Sequence, residues 1–157
     1  LRVTNSIYFG NEKEHEYYSA LIEKYLKILD LEIQAETSHT SISRHYAKAK
    51  ATQSHLFDLF IAEYEKLIPY LGKIDSHSFH IHGYMTGVSL YMSKNDHKTT
   101  SQICKDAIEY FENRHYNHRS AKLAFLYQLV ICSMQLEKFD EGKVAIEKCY
   151  TLVHSHC

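Results

Sequence analysis

Leu136 to Leu152 read LEKFDEGKVAIEKCYTL, and the 17 residues before them, Arg119 to Gln135, read RSAKLAFLYQLVICSMQ. The earlier stretch is strongly apolar throughout, and its pattern stops at Leu136-Glu137. Apolar and small residues then resume at spacings of three and four, through Phe139, Gly142, Ala145, Ile146 and Cys149. That spacing marks one face of a helix. A helix, a tight turn and a second helix make an antiparallel hairpin.

Similar turns fall at Gly10-Asn11, Thr52-Gln53 and Lys94-Asn95, each 42 residues before the next, with Leu136-Glu137 closing the series. Fixed spacing of this length is the sequence pattern of stacked helical hairpins, because one hairpin cannot bury its apolar face alone. Met92 and Met134 match at that offset, as do Val88 and Val130, Ile103 and Ala145, and the series Ala62, Cys104 and Ile146. The expected fold is all-α, an antiparallel helix-hairpin solenoid of about seven or eight helices. It forms a single domain over residues 1–157, in units of about 1–33, 37–72, 76–115 and 118–157.

Working backwards along the chain, helices are predicted over Phe139–His154, Arg119–Leu136, Thr99–Asn113 and Ser76–Ser93. Ser54 is a candidate N-cap for an earlier helix that Pro69 ends and Gly72 punctuates. Two more helices are predicted over Glu12–Ile33 and Thr37–Lys50, with a break between them. One proline and five glycines in 157 residues suit helical repeats and argue against β-sandwiches and nucleotide-binding α/β folds. The chain opens on Leu and begins its amphipathic pattern at once, so it reads as a piece of a longer protein.

A formal net charge of −1 with 24% charged residues gives no basic excess for nucleic acid. No apolar run approaches the length of a membrane span, and no signal-peptide core is seen at the start. Cys104, Cys132, Cys149 and Cys157 form no C-x-x-C pair, and the first three read as small buried hydrophobes. Unpaired thiols suit a reducing compartment, so a cytoplasmic protein is expected.

The residues from Leu136 to Leu152 resemble the tetratricopeptide repeat family. Phe139 stands at the family's aromatic position after the turn, Gly142 at its small packing position and Cys149 at a later small position. Ala107 fits that later position one unit back, whereas Thr100 stands where Gly142 does. Asp58 and Glu65 depart from both positions. Tyr84 and Leu126 approximate the aromatic-leucine-glycine signature of the first helix. The resemblance covers about residues 76–156 best and implies a right-handed superhelix whose first helices line a concave binding face. Carried over by register, that face comprises Asn5, Ser43, His82, Ser89, Tyr127 and Gln135, with Met85, Met92 and Met134 adding adaptable apolar surface.

No phosphate-binding, nucleophile-elbow or H-E-x-x-H motif is present, and no catalytic residue is assigned. Twelve histidines invite a metal reading. However, His80 and His82 point about 200° apart on a helix, and His115, His118, His154 and His156 are scattered, so no metal and no cofactor are expected. Glu12, Glu14 and Glu16 favour the positive end of a helix dipole without any catalysis. The reading is a non-catalytic scaffold that binds a protein or peptide in its groove, touching neither membrane nor nucleic acid. The alternative is the peptide-sensing receptor domain of a bacterial transcription regulator whose DNA-binding part lies elsewhere. A homodimer through the apolar last helix is a further expectation, and so is a groove filled by the protein's own neighbouring helix.

Overall fold

The computed structural model describes residues 12–48, 54–114 and 118–154. Among them the secondary structure is six α-helices and one 3-10 turn. Helix α1 spans Glu12–Lys48, α2 Ser54–Leu67, α3 His77–Ser93, α4 His97–Glu112, α5 Arg119–Gln135 and α6 Phe139–His154. Among the described residues the helices number six against the seven or eight expected of the whole chain, and the break between residues 33 and 37 is absent. The reason is local. Gln34-Ala35-Glu36 contains neither Gly nor Pro, and Ala35 is fully buried, so nothing interrupts the 37-residue helix. The Gly10-Asn11 and Thr52-Gln53 turns lie outside the described residues, as does the side chain of Ser54.

Several of the other boundaries have a chemical cause. Pro69 ends α2 in a 3-10 turn over Ile68–Tyr70, and Gly72 follows with φ +77°. Ser76 caps α3, its Oγ accepting from the Phe79 amide at 3.0 Å. Asp96 caps α4, its carboxylate accepting from both the amide and the hydroxyl of Thr99 at 3.0 and 2.7 Å. Those two bonds hold the Asp96 carboxyl below its usual pKa.

The 42-residue spacing reappears in the backbone. Asn95 and Glu137 both sit in the left-handed region, at φ 56° and 57°. The Asn95 and Asp96 amides donate to the Met92 and Tyr91 carbonyls at 3.0 Å each. The Glu137 and Lys138 amides donate to Met134 and Ser133 at 3.2 and 2.8 Å. Both turns are therefore Schellman caps in the same register. Glutamate takes the left-handed position less readily than asparagine or glycine. Glu137→Gly is thus expected to raise stability by about 0.5–1 kcal/mol, and Asn95→Gly by less, in parallel urea titrations.

Helices pack on their chain neighbours and also two elements apart. Helix α1 lies on α3 through a small core of Leu31, Ala35, Leu67 and Phe79, and the Ser76 hydroxyl donates to Glu32. Tyr84 of α3 meets Phe125 of α5 edge-on at 6.1 Å, and the sulfurs of Met92 and Cys132 lie 3.9 Å apart. Lys105 and Glu112 of α4 form ion pairs with Glu141 and Lys148 of α6. Gly87 lets Tyr64 of α2 reach the α3 backbone, since a Cβ there would stand 2.5 Å from the tyrosine ring. The main core runs between α2 and α6, with Phe111, Phe125 and Leu90 at or near zero exposure.

Candidate partner-binding face

The side chains assigned to binding fall on three helices. Asn5 lies outside the described residues. Ser43, on α1, is exposed. His82 and Ser89, on α3, are half-buried and lie two turns apart, on one face with Met85 and Met92. Tyr127 and Met134 of α5 are each 62% exposed and also lie two turns apart, with half-buried Ile131 between them. Gln135 is exposed at the end of the same helix. By the 42-residue register Tyr127 is the counterpart of Met85, Ile131 of Ser89 and Met134 of Met92. Met85 and Tyr127, and Met92 and Met134, thus occupy matching positions on adjoining helices, whereas His82, Ser89 and Gln135 have no counterpart within the assigned set.

One of them is engaged within the chain. His82 meets His39 of α1, with the two Nδ1 atoms 3.3 Å apart and the ring centroids 5.4 Å apart. At that distance one imidazole donates and the other accepts. Burial, and then the neighbouring His82, hold the His39 pKa below the ordinary histidine value. Helix α1 therefore takes up one flank of α3, and the face left open runs from Met85 and Ser89 across to Tyr127 and Ile131.

His80, His77 and His118 serve packing. His80 is fully buried, and its ring stacks on Tyr110 at 3.8 Å. Its Nδ1 faces the Ser76 carbonyl at 2.6 Å, and its Nε2 accepts from the Gly72 amide at 2.8 Å, which fixes the neutral Nδ1-protonated tautomer. Burial lowers its pKa to about 4. His77 stacks on His118 at 4.3 Å, and both lie against Phe111. Among the described residues, no group of three or more His, Cys, Asp or Glu is placed to hold a metal. His156 and Cys157 are not among them.

The buried thiols are not nucleophiles at neutral pH. Burial, then the neighbouring Cys132, push Cys104 up to about 12, and burial raises Cys132 and Cys149 as well. Sequence reasoning did not anticipate a cleft of about 250 Å³ between α4, α5 and α6. Ile108, Leu126, Leu129 and Val144 line it, and the Lys105–Glu141 and Glu112–Lys148 ion pairs flank it. It is an apolar seam between two hairpins, rimmed by those two ion pairs and by Glu109.

No protein-family model matches the chain, and neither the curated proteins nor the solved structures yield a match. No described helix is long and apolar enough to cross a membrane.

Proposed function

We propose that this chain is a non-catalytic, tetratricopeptide-like binding scaffold whose first helices present a face to an apolar peptide segment of another protein. The observation that carries the reading is the exposure of Tyr127 and Met134 in register with Met85 and Met92 on the adjoining helix. Large side chains left open on one helix, beside half-buried methionines of the next, favour a partner, and tyrosine and methionine are residues that interfaces use. Tyrosine adds a hydroxyl at little rotamer cost, while methionine adapts to varied side chains. Ser89 and Gln135 supply neutral hydrogen-bonding groups beside that apolar surface, which suits the backbone of an extended segment. The identical caps at Asn95 and Glu137 and the contacts two elements apart support stacked hairpins as the scaffold.

The test is selection from a random peptide display library on the 157-residue chain, followed by titration of the selected peptides. Tyr127→Glu and Met85→Glu are each expected to weaken binding at least about tenfold. Tyr127 is open to solvent, whereas Met85 packs partly on the core, so a circular dichroism melt checks that each variant is folded. Peptides that bind both variants as tightly as the parent chain would show that this face is not the site.

A further inference from the structure

We infer that the outer face of α6 is a self-association surface, on which two copies of this chain pair through antiparallel α6 helices about a two-fold axis. Phe139, Lys143, Ile146, Tyr150 and Val153 follow one another at spacings of four, three, four and three. That is the spacing of a two-helix seam. Four of the five are large apolar groups left open: Phe139 is 68% exposed, Ile146 55%, Tyr150 66% and Val153 49%.

The counterparts one unit earlier, on α4, are His97, Ser101, Cys104, Ile108 and Phe111, and the last four are buried. Helices α5 and α6 cover that region, with Phe111 stacked on Phe125 and Ile108 lining the seam with Leu126 and Val144. The same face of α6 is therefore built for a cover and has none in the described residues.

Charge decides what the cover is. On α4 the flanking residues Lys105 and Glu112 receive Glu141 and Lys148. Their counterparts on α6 are Glu147 and His154. A hairpin of the same charge pattern laid on in the same head-to-tail manner would set an acid against Glu147 and is disfavoured. Turned antiparallel, the same seam becomes self-complementary. Phe139 faces the partner's Tyr150, and Lys143 lies beside the partner's Glu147, each contact occurring twice by symmetry. The open apolar side chains offer at most on the order of 500 Å² per protomer, about 1,000 Å² for the pair, at the lower edge of specific interfaces.

Sedimentation equilibrium of the 157-residue chain, under a phosphine reductant that excludes disulfide cross-links, tests this. The expected species has twice the 18.4 kDa chain mass at tens of micromolar. Tyr150→Glu is expected to raise the dimer dissociation constant at least about thirtyfold. Lys143→Glu and Glu147→Lys should each weaken the dimer, and combining them in one chain should restore it. Tyr25→Glu, on the exposed stripe of α1, should leave it unchanged, and a thermal melt confirms that each variant is folded. A chain that stays monomeric to about 200 µM would overturn the inference. So would a dimer insensitive to Tyr150→Glu, one lost with Tyr25→Glu, or one in which the combined charge reversal restores nothing.

Discussion

Replacing Phe125 by alanine is expected to remove about 3–5 kcal/mol of stability, the largest loss for any single side chain at the junction of the two hairpins. Phe125 is fully buried and touches two other helices. Its ring meets Tyr84 of α3 edge-on at 6.1 Å and stacks on Phe111 of α4 at 5.9 Å. Deleting it therefore opens a cavity walled by three helices, and rigid helices cannot collapse into such a space without giving up contacts elsewhere. Phe139→Ala is the matched control. It removes the same atoms from a position 68% exposed, and in dilute solution it should change stability by no more than about 0.5 kcal/mol. Paired urea titrations read both. A Phe125→Ala loss as small as that of Phe139→Ala would mean that α5 does not pack on α3 and α4 as described.

Acidification is expected to destabilise the fold through His80. In the folded chain its pKa is lowered to about 4 from 6.5, chiefly by burial, while the Ser76 carbonyl acts in the opposite direction. Arg114 and His77 lower it further, and Asp75 raises it. The unfolded chain thus binds a proton that the folded chain excludes, and stability falls as the pH drops from about 6.5 towards 4. The stabilisation is fully present above pH 6.5, and its loss is limited to about 3 kcal/mol. Protonating Nε2 would also turn it from acceptor to donor against the Gly72 amide at 2.8 Å, breaking the bond that anchors the loop before α3. Lowered values at His39 and His118 act in the same direction. His80→Gln should cost about 1–3 kcal/mol at pH 7.5, since the Gly72 amide is left without its imidazole acceptor. It should also flatten the slope between pH 6.5 and 4. Urea titrations across that range measure both, and a slope unchanged in the variant would assign the acid sensitivity to other groups.

Much of the helix pattern could be read from the residues because helix ends here depend on local chemistry. Pro69 and the capping residues Ser76 and Asp96 all mark boundaries within a few positions. The turn at Glu137 carries no glycine, and the stop in the apolar pattern at Leu136-Glu137 marks it, with the 42-residue period in agreement. The error in α1 came from treating the polar stretch after Ile33 as a break. Polar residues do not by themselves end a helix, and only a residue that disfavours the helical backbone interrupts it. The roles of the histidines were not legible for a different reason. His80 is held by Gly72, eight residues earlier across a loop, and by Tyr110 on another helix. His82 meets His39 from 43 positions away. Such pairings follow from how helices cross, which spacing within one helix does not encode. The binding face was legible to the extent that it depends on register: Ser89, Met85, Tyr127 and Met134 fall on matching faces of α3 and α5. The sequence admits a groove filled by a neighbouring helix, but it marks neither α1 nor His39 for the contact with His82.

Nuclear Overhauser contacts between methyl groups of α4 and those of α5 and α6 test the stacking of the hairpins most directly. Ile108, Leu126, Leu129 and Val144 line one seam although they come from three helices. Stacked hairpins predict cross-peaks from the Ile108 δ-methyl to Leu126 or Leu129 and to Val144. A spectrum in which Ile108 shows contacts only within α3 and α4, and Val144 only within α5 and α6, would contradict the packing from which both proposed interaction faces are derived.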